Sequence, residues 1–456
     1  MISLPSLHAI RPCLEGAIPA IMATCDPYGT PNVAYISQAV YVDEAHVALS
    51  YQFFNKTRQN ILRTPRSSVL VLDPHTARFY RLHLRYERTE DSGPVFESMR
   101  AQLAGIASHA GMAGVFELKG ADIHAVERIE PVPGDGLPPP PPRPGLLHAL
   151  RVCSERMARC AGLDELLSCT LAALQEQLGI AHAMVLLLLD APSQQLYTVA
   201  SHGYATSGVG SEIRLGQGVI GMAAQERTPV RISHMTNAAR YSHAIRDSLD
   251  AHAGAGAPPL ARGMDIPYPG LAEPHSQIAV PLACAGRLLG VLFAESPQDL
   301  RFGFEDEDML VAIAGQLAAA IELLQAAPEP AAEPVPAPAA ALPQPQDGGA
   351  PLRVRHFAAN DSVFINGDYL IKGVAGAIFR KLLRDHLASG RVDFTNRELR
   401  LDAALRLPDV ADNLEARLLL LQRRLQENSP HIRIEKTGRG RFRLCVLRPV
   451  VLEDAQ

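Results

Sequence analysis

Three stretches of this chain carry residue types and spacings suited to holding a charged group. In LSYQFFNKTRQNIL a strand-like run ends at Tyr51 and Gln52, and Lys56, Thr57 and Arg58 then open a helix. The free amides of a helix's first turn point outward along its axis, and a cation and a hydroxyl beside them make a cradle for a phosphate. In HMTNAARYSHAIRD, residues His234, Arg240, Tyr241 and His243 bring imidazoles, a guanidinium and a phenol into one short segment, enough to hold a small ligand. In NLEARLLLLQRRLQE and the following HIRIEKTGRGRFRL, Arg417, Arg423 and Arg424 lie on a helix. Lys436, Arg439 and Arg441 sit on or beside a Gly-rich loop between two strands, where they could meet phosphates of a nucleic acid. No nucleophile–base arrangement stands out, so no catalytic residue and no metal ligand is assigned.

These residues need elements to position them. The chain has 456 residues, too many for one hydrophobic core, and is 47% hydrophobic, enough to fill several. No apolar run approaches the roughly 18 residues of a membrane span, and the start lacks a basic, then apolar, leader pattern. The seven cysteines are an odd number at scattered spacings with no C-x-x-C pair, which reads as free thiols in a reducing compartment. A cytoplasmic protein is expected. Net charge is −5, but from residue 351 onward Lys+Arg number 19 against 13 Asp+Glu, while the first 350 residues hold 24 against 35. A basic tail on an acidic body suits a polyanionic partner.

Two segments divide the chain. Residues 131–145, with five consecutive prolines, form a stiff polyproline spacer, and residues 327–351 form a Pro/Ala tether. Three domains are therefore expected, at 1–130, 146–326 and 352–450, in an α+β multidomain chain.

In the first, alternating runs such as VAYISQAVYV and SSVLVLD between turn signals predict an antiparallel sheet or small barrel, with helices near Lys56–Leu62 and Pro94–His109. The order of strand, Gly-x-Pro turn, two strands and Lys-Thr-x-x-Asn-Ile resembles the FMN-binding split barrel of the pyridoxamine 5'-phosphate oxidase-like family. That resemblance implies FMN as cofactor, with Lys56, Thr57 and the neighbouring Arg58 at its phosphate and Tyr51 and Gln52 beside its ring.

In the second, GQGVIG (Gly216, Gly218, Gly221), SQIAVPL, the hairpin AGRLLGVL and FEDED opening a last helix resemble the GAF domain, an antiparallel sheet with flanking helices. The resemblance implies a small-molecule ligand and a homodimer formed through the flanking helices. No bilin-attaching cysteine lies in the region 234–275, and no Asn-Lys-x-x-Phe motif for a cyclic nucleotide was found. Cys153 and Cys160, seven residues apart, share a helix face and are expected to pack as small apolar groups.

In the third, Asn366-Gly367 between apolar runs predicts a type I′ hairpin, Thr395 and Glu398 have capping-box spacing, and a terminal hairpin follows three helices. This order resembles the winged-helix domain of the OmpR class of transcription regulators. The resemblance places Arg417, Arg423 and Arg424 on the groove-entering helix and Lys436, Arg439 and Arg441 on the wing, with DNA as partner. One feature departs: Leu419 and Leu420 fall near the groove-facing side and are expected to be exposed there. The reading is a cytoplasmic sensor-regulator, in which ligand and flavin sensing control a winged-helix output. A flavin-dependent oxidoreductase with a regulatory GAF domain, and a protein-docking scaffold without DNA binding, stay open beside it.

Overall fold

The computed structural model describes every residue except 1–4, 16–17, 53–54, 110–116, 142–144, 191–192, 235–265, 327–349, 406, 408–412 and 456. The N-terminal part is a seven-stranded, wholly antiparallel sheet. Its strands are β1 (Ala20–Cys25), β2 (Pro31–Ile36), β3 (Ala39–Tyr41), β4 (His46–Tyr51), β5 (Arg66–Leu72), β6 (Phe79–Glu90) and β7 (Gly120–Pro131), in the order β2-β1-β5-β6-β7-β4-β3. Helix α1 (Lys56–Arg63) leaves β4 and packs on β1, and α2 (Pro94–His109) joins β6 to β7. Alternate residues Val69, Val71, Leu82 and Leu84 fill the interior.

The middle part has α3 (Leu146–Arg159) and α4 (Leu163–Leu178) before a second sheet. Its strands are β8 (His182–Asp190), β9 (Gln195–His202), β10 (Glu212–Arg214), β11 (Val230–Ile232), β12 (Ser276–Cys284) and β13 (Arg287–Ser296), in the order β10-β9-β8-β13-β12-β11. Helix α5 (Gly218–Glu226) follows the glycine turn, where Gly216 has φ +82° and a Cβ on Gly221 would meet the Arg214 carbonyl at 2.2 Å, so glycine is required at both. Helix α6 (Phe304–Ala326) closes the domain and buries Leu310, Ile313, Leu317 and Ile321 against the sheet. One face of the sheet thus carries α3, α4 and α6, and the other carries α5.

The C-terminal part begins with β14 (Leu352–Phe357), β15 (Ser362–Ile365) and β16 (Asp368–Ile371). Asn366 and Gly367 both have positive φ, as the type I′ turn requires. Then come α7 (Gly373–Ser389), β17 (Asp393–Thr395), α8 (Asn396–Leu401) and α9 (Leu414–Asn428). Thr395 and Glu398 make the reciprocal capping box at the start of α8. The hairpin β18 (Ile432–Gly438) and β19 (Arg441–Val446) pairs with β17, and β20 (Val450–Ala455) adds a strand parallel to β14. The expected terminal hairpin is therefore followed by one more strand, which runs beyond residue 450. Among the described residues no helix is long and apolar enough to cross a membrane.

The parts are not beads on tethers. Ala101 of α2 packs into the apolar face between α5 and the second sheet, and Arg231 of β11 bonds both Glu15 (2.5 Å) and Glu307 (2.8 Å). Likewise the cores of the middle and C-terminal parts form one continuous apolar cluster.

Candidate functional site

The first pocket, roughly 140 Å³, opens at the start of α1 and is lined by Tyr51, Gln52, Asn55, Thr57, Arg58, Asp122 and His124 among others. Strand β4 delivers Tyr51 and Gln52, α1 delivers Thr57 and Arg58, and alternation on β7 turns Asp122 and His124 to the same side. Asn55 caps α1 by accepting from the Arg58 amide at 3.1 Å, Thr57 accepts from Asn32 at 2.9 Å, and Lys56 is exposed. Arg58 does not stand free. It is ion-paired to the buried Asp122, donates to Thr89 at 2.8 Å, and covers the Tyr51 ring at 4.3 Å. The charge expected for a phosphate is thus already matched by a carboxylate, and the Tyr51 face expected for a flavin ring is occupied by a guanidinium.

His124 was not singled out from sequence. It is fully buried, and neither ring nitrogen has a partner. Burial, then the nearby Arg58, lowers its pKa to about 4, so the ring is neutral with one donor and one acceptor to offer. That orphaned ring and Thr57, both lining the pocket, suit the FMN that the fold implies, while Lys56 is exposed at the helix start and does not line it. A bound flavin would supply a two-electron acceptor; Lys56, Thr57 and His124 would hold it. A pocket of this volume, below the roughly 300–1,000 Å³ of most ligand sites, takes one end of such a group.

In the middle part His234 is half exposed and bonded to Asp299 at 2.8 Å. Arg240, Tyr241 and His243 lie outside the described residues. A different polar group emerges on the α5 side of the sheet. Glu295 of β13 pairs in register with His182 of β8 and with Gln277 of β12, and Tyr204 follows β9 next to His182. Four neighbouring strands thus set one polar row at the margin of an otherwise apolar face of Met184, Leu186, Ala279, Val291 and Phe293. Glu295 accepts from the Leu271 amide (2.8 Å) and from Gln277 Nε2 (3.0 Å). Burial raises its pKa to about 7 despite those donors and Tyr204, and burial holds the Tyr204 hydroxyl un-ionised. Parity could have found this row: Val291, Phe293 and Glu295 alternate inward, so a carboxyl stands where an apolar residue is due.

The third group differs most from the sequence reading. Leu418, Leu419, Leu420 and Leu421 are all buried, because α9 lies between its own domain and the face formed by α4, β8 and β9. The expected exposure of Leu419 and Leu420 is corrected: the second domain covers them. Arg417 is buried and donates to the Leu189 carbonyl at 2.7 Å. Arg423 donates to the Val199 carbonyl (2.8 Å), Ser168 (3.0 Å) and Asp164 (3.0 Å). Arg424 turns into its own domain, to the Leu370 carbonyl at 3.0 Å. Lys436 and Arg439 are exposed and Arg441 is half-buried; Lys436, Arg441, Leu163 and Asp164 line a cleft between this hairpin and the start of α4. Among the described residues all seven cysteines are free, and no group of three or more His, Cys, Asp or Glu side chains could hold a metal.

Comparison with known proteins agrees with two of the three parts. The family model described as pyridoxamine 5'-phosphate oxidase matches residues 6–127 and that of the GAF domain matches residues 162–321. The N-terminal part is a pyridoxamine 5'-phosphate oxidase-like domain and the middle part a GAF domain. No curated protein matches the chain. Among solved structures, the GAF domain of an Acinetobacter phosphoenolpyruvate-protein phosphotransferase is 19% identical, with TM-score 0.32, covering 42% of this chain and 100% of that one. An FMN-binding protein from Syntrophomonas wolfei subsp. wolfei is 20% identical, TM-score 0.23, covering 27% and 88%. Free methionine-R-sulfoxide reductase from Neisseria meningitidis, with its substrate, is 25% identical, TM-score 0.29, covering 39% and 88%.

Proposed function

We propose that this chain is a ligand-sensing regulator in which the GAF domain holds a winged-helix output domain closed. One observation carries the reading: α9, the third helix of the C-terminal domain, is gripped by the GAF domain through Arg417, Arg423 and the run Leu418–Leu421. The order of β-sheet, three helices and hairpin in that domain supports a winged helix, and its exposed Lys436 and Arg439 suit contacts to a DNA backbone. With α9 engaged, Arg417 and Arg423 are withheld from a groove, so DNA binding requires opening. The N-terminal barrel adds FMN through Lys56, Thr57 and His124, as a second input and without turnover. Exposed Leu147 on α3 and Leu323 on α6 support pairing of two GAF domains through their flanking helices.

A docking scaffold without DNA binding is the second reading, favoured by the leucine-rich contact face of α9. A gel shift with mixed-sequence duplex DNA over a salt series separates them. Wild type should bind weakly and a variant opened from the GAF side by Asp164→Ala with Ser168→Ala, which keeps Arg423, more tightly, with affinity falling as salt rises. Failure of both to bind at low salt removes the DNA reading and leaves the scaffold.

A further inference from the structure

The polar row across β9, β8, β13 and β12 leaves several buried polar atoms without partners. Glu295 is 1% exposed, and among the described residues no lysine or arginine is hydrogen-bonded or ion-paired to it. Gln277, also 1% exposed, donates its amide N–H to Glu295 and is left with an Oε1 that has no donor. The His182 Nδ1 beside them has no partner, its ring tilted against Tyr204 at 5.5 Å, and the buried Tyr204 hydroxyl has none either. A buried carboxyl without a counter-cation and buried polar atoms without partners are costly, and such groups call for something to satisfy them.

We propose that this row is the ammonium-binding end of the GAF domain's ligand site, and that the domain takes a small molecule bearing a primary amine. The proposal rests on the sensing reading given above and narrows it to a ligand class. A protonated amine carries three N–H donors and one positive charge. The row offers three takers: the Glu295 carboxylate, Gln277 Oε1 and, in the tautomer protonated at Nε2, the His182 Nδ1. An anion would be repelled by the Glu295 carboxylate, and an apolar ligand would leave the row's polar atoms unsatisfied.

Glu295 has a pKa raised to about 7 by burial, so at pH 6 it is mostly the neutral acid. Binding of R–NH3+ then converts Glu295–COOH to Glu295–COO− held against the ammonium, and the proton passes to buffer. At pH 8.5 the acid is already ionised and no proton is released. The other titratable groups at the row are His182, whose pKa is lowered by burial and then by His202, and Tyr204, held un-ionised by burial and by Glu295. Asp299, at the same end of the sheet, is paired with His234 and His275.

The test is calorimetry and thermal shift on the full chain, with the twenty free L-amino acids and simple alkylamines as probes, each beside its N-acetylated form. Expected is stabilisation by one or more amines and none by their acetylated forms. At pH 6, titrations in two buffers of different ionisation enthalpy should report close to one proton released, and at pH 8.5 none. Glu295→Gln should weaken binding at least about tenfold and abolish the proton release, with circular dichroism unchanged. Equal binding of acetylated forms, or binding by amine-free acids alone, overturns the amine assignment while the sensing reading stands. If no probe binds, and native mass spectrometry of protein incubated with a cell metabolite extract shows no bound small molecule, water fills the row and both fall.

Discussion

The grip on α9 can be loosened at one side chain. Arg423 is mostly buried and donates to the Val199 carbonyl, Ser168 and Asp164 on the GAF face. The Asp164 carboxylate is 59% exposed, so that ion pair is worth at most about 1 kcal/mol. A charged donor on a part-buried carbonyl is worth more, about 1.5–3 kcal/mol. Arg423→Ala keeps helix propensity and removes both, so it should favour the open arrangement by about 2–3 kcal/mol, or roughly 30- to 150-fold. Hydrogen exchange over residues 414–428 and the radius of gyration from small-angle scattering report opening directly. Arg433→Ala, on the exposed hairpin, is the control. Should Arg423→Ala leave both measurements at wild-type values, the side chain does not hold the domains together and the closed-state argument fails.

Further outcomes are equally concrete. Glu295 is raised from 4.5 to about 7 in the fold, so the native state favours its acid form. Stability should fall by about 3 kcal/mol as pH rises through 4.5 to 7 and stay flat above, a loss that Glu295→Gln lacks in urea melts at pH 5 and 8. Added FMN should bind with a visible flavin band and quenched fluorescence, and Lys56→Ala should weaken it about tenfold by removing about 1.4 kcal/mol. Arg58→Ala should instead destabilise the barrel by about 3 kcal/mol in chemical melts, because Asp122 is left buried and unpaired. Light scattering should give a dimer, and Leu147→Lys with Leu323→Lys a monomer.

What could be read from sequence was local. The Asn366-Gly367 turn, the Thr395 cap, the Gly216–Gly221 turn and the span Pro94–His109 are each set by neighbours in the chain, and the structure has them in those places. What could not be read depends on distant partners. Leu419 and Leu420 looked groove-facing because the periodicity of one helix allows for one core, whereas α9 has two. Strand β20 pairs with β14 nearly a hundred residues away, and nothing in VVLEDA announces a parallel partner. Arg58 read as a phosphate ligand because Asp122 comes 64 residues later. His124 carries no local signal at all; it matters because burial leaves its nitrogens without partners.

The polar row lies between the two interdomain contacts. Gln277 sits on β12, whose neighbour β11 carries Arg231, bonded to Glu15 in the N-terminal part. At the row's other end Tyr204 follows β9, whose Val199 carbonyl holds Arg423. A ligand drawn onto Glu295 therefore touches the strands that join both contacts. Linkage supplies the test. If ligand binding opens α9, then opening α9 must change ligand affinity by the same factor. Arg423→Ala should thus bind its amine ligand more tightly than wild type, by a factor that approaches the ligand's effect on exchange at residues 414–428 as the variant becomes fully open. Equal affinities in the two proteins, measured beside a real change in exchange, would mean that the clamp and the pocket are independent devices on one sheet.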